Sequence, residues 1–212
     1  MEQKEIRSLL NFAIETAYSA GKFTLSFFQN HVIVEHKGDG SPVTVADRGA
    51  EELIRKTIQT YFPHHDILGE EFGEIDSHSH YRWIIDPIDG TTSFVHGVPF
   101  YGVLLGLEYK GEVMAGVCYF PALDEMVSAA KGEGCFFNGR NTSVSKTASL
   151  ENATLLYSDV SMFEPLHKHE SFHRLRMNTK VHRGWGDCYG HCLVATGRAD
   201  IMLDPIMNPW DC

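Results

Sequence analysis

Residues Trp83-Ile84-Ile85-Asp86-Pro87-Ile88-Asp89-Gly90-Thr91-Thr92 carry the densest chemistry in the chain. An apolar run of strand type ends abruptly in an acid, and a proline then turns the chain. A second acid follows three residues after the first, then Gly-Thr-Thr, which opens a helix. Two carboxylates at a strand end, beside a turn rich in backbone N–H groups, suit a hard metal ion and a phosphate together.

Other acids fall at the ends of expected elements: Asp47 early in a helix, Glu70 and Glu71 after a strand, Asp211 near the terminus. Any one of them, taken alone, reads first as a solvated surface acid. Asp86 is harder to dismiss, because Trp83-Ile84-Ile85 pulls it toward the interior, where an acid must be paired or bind a metal. Oxygen ligands with no nearby Cys or His select Mg²⁺, Mn²⁺ or Ca²⁺ over zinc. Two such ions about 4 Å apart polarise a phosphoryl group, activate a water and stabilise the leaving oxygen. Gly90 lets the backbone approach an anion closely. No Cys or His stands in a nucleophile setting, so attack by metal-activated water is the economical mechanism.

The elements that must position these residues follow from pattern. Residues 4 to 29 read as an amphipathic helix, 32 to 34 as a short strand and 36 to 42 as a loop. Thr44 caps a second helix that Pro63 stops. Asp66 to Gly69 leads into Glu70-Glu71, and a polar loop at 76 to 80 precedes the central strand. Phe100 to Phe137 reads as an antiparallel meander with tight turns. Beyond residue 145 the pattern becomes β-α-β: a strand at 153 to 157, helices at 162 to 177 and 186 to 196, a strand at 199 to 204. The expected subdomains are 1–145, holding the metal site, and 146–212.

With 212 residues, 43% hydrophobic and 22% charged, the chain is long and apolar enough for a real core. A formal charge of −10 and no basic block argue against a nucleic-acid partner. The charged N-terminus is followed by no long apolar run, so neither a signal peptide nor a membrane anchor is expected, and a cytoplasmic location is. The five cysteines (118, 135, 188, 192, 212) form no CxxC pair and read as reduced thiols, with Cys188 and Cys192 packing in the core. The paired histidines at 64–65, 78–80 and 167–169 lie in polar stretches and read as surface residues.

The segments Gly38 to Asp47, Gly69-Glu70-Glu71, Trp83 to Thr92 and Trp210-Asp211 occur together, in order, and closely resemble the inositol monophosphatase family of Mg²⁺-dependent, lithium-sensitive phosphomonoesterases. The resemblance covers the whole chain. It implies an α/β layered fold, an alternating α-β-α-β-α sandwich with the site between two subdomains, and a homodimer. Carried onto matching positions, it places a first Mg²⁺ on Glu70, Asp86, the Ile88 carbonyl and Thr91, and a second on Asp86, Asp89 and Asp211. Glu70 reaches a third, weaker ion. Asp47 and Thr91 polarise the attacking water, Glu71 supports them, and the N–H groups of Gly90 and Thr91 bind phosphate beside Asp89.

Residues 183 to 190 and 204 to 211 look most like the histidinol-phosphate phosphatase branch, an activity of histidine biosynthesis. This implies substrate contacts from Arg183, Gly186, Asp187, Cys188, Asp204 and Asn208. The chemistry agrees in direction: histidinol phosphate carries a cationic amine and an imidazole, which Asp187, Asp204 and Asn208 could hold. Trp185 could pack beside the ring. The alternative is inositol 1-phosphate. A bisphosphate ester would need more cations than Lys37 and Arg183. Family members continue past the Trp-Asp motif with a helix and further strands. A chain ending at Cys212 is therefore expected to be an incomplete, poorly stable and weakly active fragment, or a non-catalytic metal-binding relative.

Overall fold

A computed structural model describes residues 1–211; Cys212, one of the five thiols, lies outside the described residues. The elements are α1 (Gln3–Leu25), β1 (Val34–His36), β2 (Pro42–Thr44), α2 (Val45–Tyr61), β3 (Asp66–Gly69), β4 (Gly73–Ile75), β5 (Tyr81–Asp89) and α3 (Thr91–Val95). There follow β6 (Gly102–Tyr109), β7 (Glu112–Phe120), β8 (Glu125–Ala130), β9 (Gly134–Phe137), β10 (Arg140–Thr142), β11 (Thr154–Tyr157), α4 (His169–Met177), β12 (Val181–Arg183), α5 (Asp187–Ala195) and β13 (Ile201–Leu203). No helix among the described residues is long and apolar enough to cross a membrane.

The large sheet has the order β10-β9-β8-β7-β6-β5-β3-β4, with β3 and β5 parallel and the other neighbours antiparallel. The meander from β6 to β9 follows the expected alternation. Its first hairpin closes on Lys110 and Gly111, both at positive φ (55° and 78°), which matches the twist of the flanking strands. The small sheet has the order β12-β11-β13, all parallel.

Strand alternation assigns the layers. Trp83, Ile85, Val103, Leu105 and Val117 face α1 and α2 in the main core. Cys118, Phe120 and Val127 face the other way and pack on Cys188 and Cys192 of α5. Leu193 of α5 packs on Leu156 of β11, while the next residue toward the N-terminus, Leu155, faces Phe163 and Phe172. The order α1/α2, large sheet, α5, small sheet, α4 is the expected five-layer sandwich.

Several local expectations change. The first helix stops at Leu25, and Gln29 and His31, at φ 60° and 51°, turn the chain. The following strand therefore sits at 34–36, and it pairs with β2, a strand the sequence reading does not foresee between the loop ending at Pro42 and the Thr44 cap. The segment 162–177 is not one helix. A 3-10 turn spans Val160–Phe163, Pro165 can offer no backbone N–H, and His167 at φ 54° breaks the path before α4 begins. The three-residue strands β4 and β12 are too short to show a pattern. The central strand does not end at Asp86. It continues to Asp89 through a bulge, where Pro87 needs no ladder hydrogen bond.

Helix α2 fixes the acidic turn after β3 through a fully buried carboxylate. Glu51 accepts the N–H groups of Glu71 (2.7 Å) and Phe72 (3.2 Å) and pairs with Arg55 at 2.6 Å. Arg55 in turn donates to the Gly73 carbonyl. Gly69 must lack a Cβ, which would collide with the Glu51 carboxylate. Glu51→Ala leaves Arg55 unpaired and the turn without acceptors. It should lower stability by about 3 kcal/mol or more, read as the urea midpoint of unfolding.

Candidate active site

The bulge in β5 brings its two acids to one point. Asp86 is 2% exposed and accepts the N–H of Ile88 at 3.1 Å. Asp86, Asp89 and Asp211 each present an oxygen within 4.8 Å of the others. Asp211 arrives on a 3-10 turn, Pro209–Asp211, that packs against β5 and β6. Asn208 holds it there, donating its backbone N–H (2.6 Å) and its side-chain amide (3.3 Å).

Burial pushes the Asp86 carboxyl well above the usual range, and repulsion from Glu70, Asp89 and Asp211 adds to this. Asp89 is raised to about 7 by burial and by Asp187, against the pull of the Cys188 N–H. Burial also raises Asp211. Such a cluster lacks a positive charge, and an all-oxygen donor set fits a divalent hard cation.

Asp47 sits at the start of α2, 1% exposed. Thr44 donates to its Oδ2 from the backbone (2.7 Å) and the hydroxyl (2.6 Å), and accepts from the Ala46 N–H. Oδ1 faces Thr91, whose hydroxyl lies 3.2 Å from it and 3.0 Å from the Ile88 carbonyl oxygen. Burial raises Asp47 despite these bonds. Gly90, at φ 84°, caps α3; a Cβ there would come within 3.1 Å of the Phe100 carbonyl and 3.2 Å of Asp187 Oδ2.

Lys37, from the β1–β2 loop, donates to Glu70 (2.7 Å) and Glu71 (2.6 Å). Burial works against its charge, but these two partners hold it at about 12. Burial raises Glu71. Lys37 is thus engaged by two carboxylates and not disposed toward a second phosphate.

A cleft of about 240 Å³ opens over these groups. Glu70, Asp89, Asp187, Asp204 and Asp211 line it, with Gly90, Thr91 and Asn208, and neither Lys nor Arg does. Met162, Ile206 and Met207 give it one apolar wall. Asp187 begins α5 at φ 55°, and burial with Asp204 repulsion raises it to about 6. A second cavity of about 240 Å³, lined by residues such as Ile84, Leu104 and Cys118, is mainly apolar and gathers few polar groups.

Other expected contacts fall differently. Arg183 is exposed, donates to the His182 carbonyl and does not line the cleft. Trp185 is 42% exposed and is absent from the cleft lining. Cys188 contributes its backbone N–H to Asp89 (2.5 Å), while its thiol packs in the α5 core. Gly186 abuts Ser158, whose Oγ would lie 2.6 Å from a Cβ at that position. Ser158 and Met162 line the cleft unforeseen. Ser158 had a signal: like Asp86, it is a polar residue directly after an apolar strand run. Glu51, with a purely structural role in α2, had none.

The profile of the inositol monophosphatase family matches residues 5–212. The chain is 48% identical over 205 residues to a histidinol-phosphatase of Chlorobaculum parvum, covering 96% of this chain and 79% of that one. It is 38% identical to a histidinol-phosphatase of Mycobacterium tuberculosis over 84% of this chain and 70% of that one. The Thermotoga maritima IMPase structure superposes with a TM-score of 0.86 at 33% identity, over 96% of this chain and 79% of that one. A profile spanning nearly every residue, and a solved relative that superposes over almost the whole chain, lead to one assignment: the chain belongs to the inositol monophosphatase family.

Proposed function

We propose that the protein is a Mg²⁺-dependent phosphomonoesterase that hydrolyses histidinol phosphate to histidinol and phosphate. The observation that carries the choice of ester is the cleft lining: two carboxylates, Asp187 and Asp204, beyond the acids that would hold Mg²⁺, an apolar wall, and no Lys or Arg among the described residues. That lining repels a second phosphate and attracts an ammonium group. The similarity to proteins named histidinol-phosphatase supports the same choice.

Glu70, Asp86, Asp89, Asp211, Thr91 and the Ile88 carbonyl would hold Mg²⁺ at two or three positions. Bound there, Mg²⁺ supplies Lewis-acid polarisation of the phosphoryl group and neutralises the clustered acids. The N–H groups of Gly90 and Thr91 orient the phosphate oxygens. Thr91 Oγ1 accepts a proton from the attacking water as its own passes to Asp47 Oδ1, along the 3.2 Å contact. The water oxygen bonds to phosphorus, the ester P–O bond breaks, the alkoxide of histidinol takes a proton from solvent water, and Asp47 returns its proton to solvent. Asp187 and Asp204 hold the amine, and Met162, Ile206 and Met207 flank the imidazole.

Phosphate release from histidinol phosphate and from inositol 1-phosphate, measured side by side with Mg²⁺, tests the assignment. Histidinol phosphate should turn over at least about tenfold faster, as expected when a charged pairing of about 1.5–3 kcal/mol is available to one ester alone. Faster release from inositol 1-phosphate would overturn the substrate assignment. Mg²⁺ should raise the melting temperature of the chain by mass action, and Asp86→Asn should remove most of that rise. Asp204→Asn should raise KM for histidinol phosphate about tenfold and leave KM for inositol 1-phosphate much less changed.

A further inference from the structure

We propose that Ser158 is a specificity-positioning residue, whose hydroxyl locks Asp187 and Asp204 at the one spacing that receives a cationic ester. The inference rests on the proposed function and extends it to a residue of the small sheet.

Ser158 stands directly after Tyr157, the last residue of the central parallel strand β11. Tyr157 is in register with Leu203 of β13, so Ser158 and Asp204 leave their strands side by side. The carboxyl ends of parallel strands are where an α/β sheet presents its ligand-binding groups. Ser158 Oγ donates to Asp204 Oδ2 at 2.8 Å and accepts the Asp187 N–H at 3.1 Å. One hydroxyl therefore ties the Asp204 carboxylate to the backbone of Asp187, two acids of like charge.

Asp187 needs this anchor. It is a non-glycine residue in left-handed backbone (φ 55°), at the first position of α5. Such a conformation costs a non-glycine residue energy, less for Asp than for most, and the surroundings help to hold it. Ser158 supplies part of that fixation through the N–H bond, and more through close packing: Gly186 has no room for a Cβ because Ser158 fills the space. The phosphate-facing groups, Gly90, Thr91 and Asp47, belong to other elements and make no hydrogen bond to Ser158. Losing the hydroxyl should thus disturb recognition of the amine and spare recognition of the phosphate.

The test is calorimetric binding to the full chain in Mg²⁺, with three ligands that are not turned over: histidinol, myo-inositol and inorganic phosphate. Wild type should prefer histidinol to myo-inositol. Ser158→Ala should weaken histidinol about tenfold, the loss of one charge-assisted bond, and leave phosphate within about twofold. Ser158→Thr, which keeps the hydroxyl, should restore histidinol binding. Equal weakening of both ligands, or failure of threonine to rescue, would mark a merely structural role and overturn the inference. Unchanged histidinol binding in Ser158→Ala, with the wild-type preference intact, would overturn the inference and leave the proposed function standing. A wild type with no preference for histidinol would overturn both.

Discussion

Three carboxylates that repel one another are forced together in this molecule, and one of them is almost wholly out of water. Asp86, Asp89 and Asp211 cannot all be comfortable in that position without a cation, so the fold must hold them there against their own electrostatics. It does so by building the first two on β5, whose Trp83 and Ile85 lie in the middle of the main core. The cost of crowding the acids is met by burial of apolar surface elsewhere on the same strand. The bulge after Asp86 is what lets both acids converge while the strand stays in the sheet.

The supporting contacts share one character: each is a short bond donated by a backbone N–H. Thr44 fixes Asp47, Glu51 fixes the turn bearing Glu70 and Glu71, the Cys188 N–H fixes Asp89, and Asn208 fixes Asp211. A site that must present charges at set distances gains most from groups that do not have to reorganise. Lys37 is the exception. It compensates Glu70 and Glu71 from a loop rather than from the core, and any cation drawn to Glu70 competes with it.

Much of the site could be read from the residues alone, because its acids follow apolar runs or cap helices, and both patterns carry local physical signals. The Thr44 cap, the meander and the acid at the end of Trp83-Ile84-Ile85 are of this kind. What escaped depended on distant partners. The strand β2 exists only because β1 lies beside it. Glu51 looks like an ordinary helix acid until the turn after β3 folds onto it. Arg183 reads as a substrate contact because it opens the segment 183 to 190 that resembles the histidinol-phosphate phosphatase branch, yet β12 ends there and leaves the guanidinium outside the cleft. The single helix expected over 162–177 failed on backbone grounds, at Pro165 and at the left-handed His167.

Helix α5 is sandwiched between the two sheets, touching Cys118 and Phe120 on one side and Leu156 on the other. Its first turn gives an N–H to Asp89 and a carboxylate to the cleft. The groups proposed for hydrolysis therefore sit mainly on one sheet and those proposed to select the ester on another, with a single helix as the shared joint. In evolutionary terms this is a modular arrangement. Substitutions around β11, β13 and the start of α5 can reshape the proposed ester-selecting face while the acids on β5 stay where they are. A family built this way can diversify its substrates without reinventing its chemistry.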